Sequence, residues 1–205
     1  MCFPGNATVL KKTTTGMVKC KMGALSVDDE VLTDSGFSPV VSWLHRDTST
    51  KSRPYLRLVF AVSGTGTRRI TLSADHLIFR NRTECVPAAE IVAGDEVCVF
   101  DHGRLNWEVV VGKSRCVASG VYCPLTESGT IIVDGVLCSC YSRPTSLGIK
   151  LEHAMGQLVM LPLRKKLIAR ADSDDLCWHP YCKGLYDLVG QLMSGLQSFG
   201  SLCVI

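Results

Sequence analysis

Between Val9 and Tyr141 the chain alternates short apolar runs with turn-forming residues. Val40-Val41-Ser42-Trp43-Leu44, Tyr55 to Val62 and Arg69-Ile70-Thr71-Leu72 are β-branched, aromatic or alternating, a pattern that suits half-buried strands. Glu96 to Phe100, Trp107 to Val111 and Gly129 to Val133 repeat it. Ser63-Gly64-Thr65-Gly66-Thr67 predicts a hairpin connection, and Asp134-Gly135 is the strongest short hairpin signal in the chain. Ser38-Pro39 reads as an interruption before the strand that opens at Val40. Many short strands with regular turns predict an all-β domain.

One internal repeat is visible. Ala24-Leu25-Ser26-Val27-Asp28-Asp29-Glu30-Val31-Leu32 matches Glu90-Ile91-Val92-Ala93-Gly94-Asp95-Glu96-Val97-Cys98 in pattern, with Asp29 and Asp95 lying 66 residues apart. A single repeat at that distance fits neither a solenoid nor a propeller, which need several shorter copies. It predicts a duplicated β-subdomain.

After Pro144 the period changes. Leu151, Met155, Leu158 and Val159 begin a helical stripe, followed by basic Arg164-Lys165-Lys166 and the polar stretch Ala171 to Asp175. Leu185, Leu188, Val189, Leu192, Met193 and Leu196 predict an amphipathic helix over 183–198. Gly184, Gly190 and Gly195 weaken that helix in isolation, so its apolar face needs a partner: the β-domain, a membrane or an apolar ligand.

Composition narrows the classes. The chain has 205 residues, enough for one domain with an appendage or for two small domains. Its net charge of +3 is small and scattered, which argues against a nucleic-acid partner. No signal peptide and no apolar run of about 18 residues is present, so an export signal is expected upstream, with Met1 standing in for a longer N-terminal partner. The 11 cysteines include no Cys-x-x-Cys pair, and their odd number leaves at least one thiol without an internal partner. Cys177, His179 and Cys182 lie close together but lack a second ligand pair, so no metal site is expected. Asn6-Ala7-Thr8 and Asn81-Arg82-Thr83 are glycosylation sequons.

The candidate chemistry begins at Cys2. A thiol at the start of a chain, followed by the turn-forming Pro4-Gly5, can attack the carbonyl on its own N-terminal side. Ser73-Ala74-Asp75-His76 places a hydroxyl three residues before a histidine at the end of a β-run. Trp43, His45 and Asp47 share a strand face if that strand runs far enough. A cysteine with histidines and an aspartate is the general pattern of a nucleophile with acid and base partners.

Cys2-Phe3-Pro4-Gly5 with Ala7-Thr8-Val9, the Ser73 to His76 block, and the run from Pro124-Leu125-Thr126 through Gly129 to Leu137 and on to Ser139-Cys140-Tyr141 resemble the C-terminal autoprocessing domain of Hedgehog proteins. The likeness is collinear through residues 2 to 141 and weaker afterwards. It implies an all-β, intein-like Hint disc with pseudo-twofold duplicated halves over 2–145. A small, mostly helical sterol-recognition and membrane-associating region follows over 146–205. It further implies that Cys2 attacks the preceding carbonyl to give a thioester, that His76 protonates the departing amine, and that Ser73 hydrogen-bonds the scissile amide. Cholesterol, as co-substrate with no cofactor, then attacks the thioester. The general base of that step falls at His45, with Asp47 as the alternative.

The same resemblance assigns the sterol to Leu185, Leu188, Val189, Leu192 and Met193, and makes Cys140 a redox partner for Cys2. It implies a preceding N-terminal signalling fragment as partner and a place in the secretory pathway, at the endoplasmic reticulum, with secretion after processing. This chain departs from the family pattern in having His45 for Asp, Ser73 for Thr and the acidic Asp75 before His76. Intein-type splicing is disfavoured because the chain ends Leu202-Cys203-Val204-Ile205, without the Asn that splicing requires. Release by hydrolysis, a non-sterol adduct, and a non-enzymatic secreted interaction domain are the alternatives.

Overall fold

The computed structural model describes residues 2–62, 66–143, 152–169 and 178–200, the last including the side chains only as far as 191. Its strands are β1 (Thr8–Thr13), β2 (Gly16–Lys21), β3 (Glu30–Thr33), β4 (Gly36–Asp47), β5 (Arg53–Val62), β6 (Gly66–Leu72) and β7 (His76–Arg80). They continue with β8 (Glu84–Pro87), β9 (Glu96–Asp101), β10 (Arg104–Ala118), β11 (Val121–Thr126), β12 (Thr130–Val133) and β13 (Val136–Ser142). All hydrogen-bond along one path, β11-β4-β3-β1-β12-β13-β7-β9-β10-β5-β6, with β2 added on β1 and β8 on β7. The helices α1 (His153–Val159), α2 (Leu161–Arg164) and α3 (Pro180–Gly200) follow.

Two long strands give the disc its form, and both were legible only in part. β4 pairs with β3 as far as Pro39 and with β11 from Val40 onward. Pro39 therefore does not interrupt the strand; its missing N–H falls where β4 exchanges one neighbour for the other, a position at which no ladder bond is lost. β10 makes the matching exchange, pairing with β9 as far as Val109 and with β5 from Val110.

The duplication reaches single hydrogen bonds. Ser26 N–H donates to Asp29 Oδ2 at 2.9 Å, and Val92 N–H donates to Asp95 Oδ2 at the same 2.9 Å. Asp28 and Val40 in one half, Gly94 and Val110 in the other, close the same pair of backbone bonds onto the strand that changes partner. Asp28 takes φ +69° where its counterpart is a glycine at +97°, so the turn keeps its left-handed residue in both copies. The Asp134-Gly135 hairpin joins β12 to β13 with both central residues at positive φ, as a two-residue turn of that composition requires.

The core lies between the two halves. Phe3, Met22, Trp43, Phe60 and Leu125 are fully buried, each worth about 1.5–3 kcal/mol in removal of apolar surface from water. The helices dock at the β13 end of the disc. Gly156 of α1 lies so close to the Tyr141 ring that an added Cβ would come within 2.5 Å of it. His153 Nδ1 lies 2.9 Å from Ser139 Oγ, and Arg164 Nε donates to the Glu127 carbonyl at 2.8 Å. The apolar stripe expected on α1 does not make this contact: Met155 and Leu158 are exposed, because a glycine and polar groups bring the helix to the sheet. Leu151 lies outside the described residues. α3 starts earlier than the periodicity implied, at Pro180, whose fixed φ suits a first helical turn.

Candidate active site

Cys2 and Phe3 lie between β11 and the turn that follows β6. Phe3 and Tyr122 exchange both backbone hydrogen bonds, at 2.8 and 3.0 Å, and Gly5 N–H donates to Ser119 O at 2.9 Å. The Tyr122 ring sits over Gly5, Gly23 and Gly120, and an added Cβ at Gly120 would approach it to 2.5 Å. Tyr55 on β5 completes the clamp by donating its hydroxyl to Gly120 O at 2.5 Å. The N-terminal segment is thus a buried strand, and Cys2 is fully shielded from solvent.

On its other edge Cys2 is held by Ser73. The Cys2 N–H donates to Ser73 Oγ at 2.8 Å, and the Ser73 N–H donates to the Cys2 carbonyl at 2.9 Å. His76 closes the same turn by donating its N–H to Ser73 O at 3.1 Å. Its ring is fully buried against Phe3, with centroids 4.2 Å apart, and Nε2 donates to the Ser139 carbonyl at 2.8 Å. That bond assigns the proton to Nε2 and leaves Nδ1 buried without a partner. Burial pushes His76 down to about 3, so the ring is neutral at physiological pH.

β4 does run as far as Asp47, and His45 and Asp47 face alternate β11 residues, Cys123 and Val121, but an irregularity at Leu44 pairs Trp43 with Pro124, so Trp43 does not share their face by simple alternation. His45 Nδ1 lies 3.5 Å from Cys2 Sγ, and both residues are buried. Asp47 behaves differently. Its carboxylate accepts from the Thr50 hydroxyl, and from the Ser49 hydroxyl and N–H, and these bonds hold its pKa well below the usual carboxylate range. Of the two candidate bases, the structure brings His45 to the sulfur.

Cys123 on β11 is the residue that sequence reasoning missed. It is the register partner of His45, and it follows Tyr122, the backbone partner of Phe3, which sets it across from Cys2. Burial pushes Cys2 up, but its neighbours Cys123 and His45 help bring it well below its ordinary value. Cys140, the redox partner implied by resemblance, is buried with its sulfur 3.4 Å from Thr126 Oγ1 and its carbonyl 3.6 Å from the Cys123 sulfur. The described cysteines all carry free thiols. Only the position of Cys123 directly before Pro124-Leu125-Thr126 hinted at a role, since its neighbours are set by strand register.

Trp178 was also missed. Its ring lies 6.0 Å from that of His45 and 5.6 Å from that of Tyr186, so aromatic side chains lead from the sulfur to α3. Leu185 and Val189 are partly buried on α3 and Leu188 is exposed; the side chains of Leu192 and Met193 lie outside the described residues. His179, at the start of α3, donates its N–H to the Leu44 carbonyl at 2.9 Å, and Cys182 is buried against the β-domain. Both therefore serve packing, while Cys177 lies outside the described residues.

A buried thiol at the head of a disc with two matching halves defines a class, the intein-like proteins. The crystal structure of a DnaB intein from Synechocystis superposes with a TM-score of 0.54 at 12% identity, covering 67% of this chain and 96% of that one. The solution structure of a DnaX mini intein from Spirulina platensis gives 0.51 at 17% identity, covering 68% and 99%. These likenesses establish the fold.

The Hint module profile matches residues 1–192, and the chain belongs to that family. Its curated relatives include Warthog protein 1 of Caenorhabditis elegans, 32% identical over 150 residues that cover 69% of this chain and 29% of the relative. Sonic hedgehog protein of Danio rerio is 35% identical over 158 residues, covering 69% and 35%. Indian hedgehog protein of Xenopus laevis is 29% identical over 222 aligned positions, covering 100% and 51%. The chain thus spans between 29% and 51% of the length of these relatives.

Proposed function

We propose that this domain cuts the peptide bond before Cys2 by an N-to-S acyl shift and passes the resulting thioester to the 3-hydroxyl of cholesterol. The observation that carries the first step is the hold on both reacting atoms of Cys2: the sulfur beside His45, and the scissile N–H on Ser73 Oγ. Sulfur gives its proton to His45 and attacks the preceding carbonyl. As the amide nitrogen becomes pyramidal, Ser73 can turn its hydroxyl from accepting to donating. The bare Nδ1 of the neutral His76 receives the proton that His45 took from sulfur and delivers it to the departing amine. Over the step sulfur loses one proton and nitrogen gains one, so both imidazoles end neutral.

In the second step His45 accepts the proton of the sterol hydroxyl, the ester forms, and Cys2 leaves as a thiolate that His45 reprotonates. A neutral imidazole is a competent base near pH 7, whereas Asp47 binds protons too weakly. The apolar groups of 146–205 supply the sterol site, reached from His45 past Trp178. Leu158 and Leu167, exposed by 71% and 74%, are apolar surface suited to a membrane. Among the described residues no helix is long and apolar enough to cross one. The acyl group is the end of a preceding signalling fragment, and the setting is the secretory pathway.

A fusion carrying an upstream fragment tests this directly. Incubation with cholesterol is expected to release a fragment heavier by one sterol. A free carboxylate overturns the transfer step, another adduct overturns the choice of sterol, and cleavage by Cys2→Ala overturns the nucleophile.

A further inference from the structure

We infer that Cys123 is a second catalytic thiol, donating its S–H to the Cys2 sulfur in the state that attacks. The inference rests on the reading of Cys2 as nucleophile and adds a residue to it. Its basis is register. Phe3 and Tyr122 exchange both backbone hydrogen bonds, which makes them a hydrogen-bonded antiparallel pair. The next pair along such a ladder is of the other type, with Cα atoms about 4.5 Å apart and side chains closest. That pair is Cys2 and Cys123. Consistent with this, the N–H and C=O of Cys2 are both turned the other way, to Ser73.

Across β11, Cys123 is paired with His45. Cys2, Cys123 and His45 therefore stand in one row on three adjacent segments, all buried. A thiolate formed here has no water to solvate it, and an isolated charge in such a place is costly. The Cys123 S–H supplies a donor where water cannot.

Cys123 also has somewhere else to point. Its sulfur lies 3.6 Å from the Cys140 carbonyl, an acceptor already in place. Cys123 Sγ keeps its proton throughout. It donates to Cys2 Sγ while that sulfur is anionic and returns to the Cys140 carbonyl once Cys2 is acylated and has no charge to satisfy. The hydrogen bond from Cys123 lowers Cys2, and the same bond together with burial raises Cys123, as expected of a donor and acceptor sharing one proton.

The test compares Cys123→Ala with Cys123→Ser, which keeps a donor, after thermal melts confirm that both fold. The Cys2 thiolate is followed by ultraviolet absorbance, as the difference between each protein and its Cys2→Ala derivative. Cleavage of a fusion is followed across pH. Cys123→Ala is expected to move the Cys2 titration and the cleavage profile upward by about one pH unit and to slow neutral cleavage about tenfold. Cys123→Ser is expected to restore most of both. Unchanged titration in Cys123→Ala, or equal shifts in the two variants, overturns the inference. A shifted titration in a protein whose unaltered fusion never cleaves overturns the nucleophile instead and leaves the shared proton standing.

Discussion

Cys2 and Ser73 are joined by two reciprocal hydrogen bonds, amide to hydroxyl at 2.8 Å and amide to carbonyl at 2.9 Å. Ser73→Ala removes the first and leaves a buried N–H without an acceptor, a loss of about 1–3 kcal/mol. The urea midpoint is expected to fall accordingly, and fusion cleavage to slow. Ser73→Thr keeps the hydroxyl and is expected to retain cleavage. A Ser73→Ala protein with an unchanged midpoint would show that the bond stabilises nothing.

His45 and Asp47 separate by the same logic. His45→Ala is expected to slow thioester formation, detected as release by added thiol, and to drop sterol transfer by about a hundredfold, as loss of a general base commonly gives. Asp47→Ala is expected to leave transfer within about twofold, because its carboxylate is engaged by Ser49 and Thr50. Transfer rates measured with cholesterol in detergent check both, and reversal of the two effects would reassign the base.

Gly120 holds a φ of +77°, and an added Cβ would lie 2.5 Å from the Tyr122 ring. Gly120→Ala is expected to cost about 1–3 kcal/mol from backbone strain and crowding. Because Tyr122 carries Phe3, cleavage should fall with stability. Parallel denaturation and cleavage assays would reveal whether one falls without the other.

Acid sensitivity follows from His76. Its folded value of about 3 lies below its ordinary 6.5, chiefly through burial, so between these values the unfolded chain binds a proton that the native ring refuses. Stability is therefore greatest above about pH 6.5 and falls as the pH drops toward about 3, by up to about 1.4 kcal/mol per pH unit. Urea midpoints at about pH 7.5 and about pH 5 should differ more in the natural protein than in His76→Asn. Equal differences would place the sensitivity elsewhere, with the half-buried His153 and the buried His179 next in line.

Oxidation gives a further check. Cross-strand pairs of the non-hydrogen-bonded type fall within the Cα separation that a disulfide needs. Glutathione disulfide is therefore expected to link Cys2 to Cys123, each bond formed by thiolate attack with release of glutathione. Peptide mapping without reduction reads the linkage directly. A Cys2–Cys140 bridge would favour the redox pair implied by resemblance over Cys2 and Cys123.

The strands, the hairpin at Asp134-Gly135 and the duplication were legible because each is written in local pattern. Cys2, Ser73, His76 and His45 could be named from resemblance, yet their contacts could not be read from spacing. Cys123 and Trp178 escaped for a physical reason: each reaches the sulfur or His45 through register or helix docking, neither of which leaves a periodic trace. Pro39 misled because proline ends most strands, and only the partner exchange of β4 makes it harmless. Gly156 shows the opposite error, since the apolar residues around it promised the contact that the glycine makes.

The pairing of Phe3 with Tyr122 also sets a clock. The nucleophile is made first, but its strand partner leaves the ribosome only after most of the β-domain has been synthesised, and the Trp178 beside His45 comes later still. A chain truncated before β11 has Cys2 and lacks the wall that holds it. On the proposed function, an incomplete copy would keep its upstream fragment attached, and release of that fragment would certify that translation reached the far side of the disc.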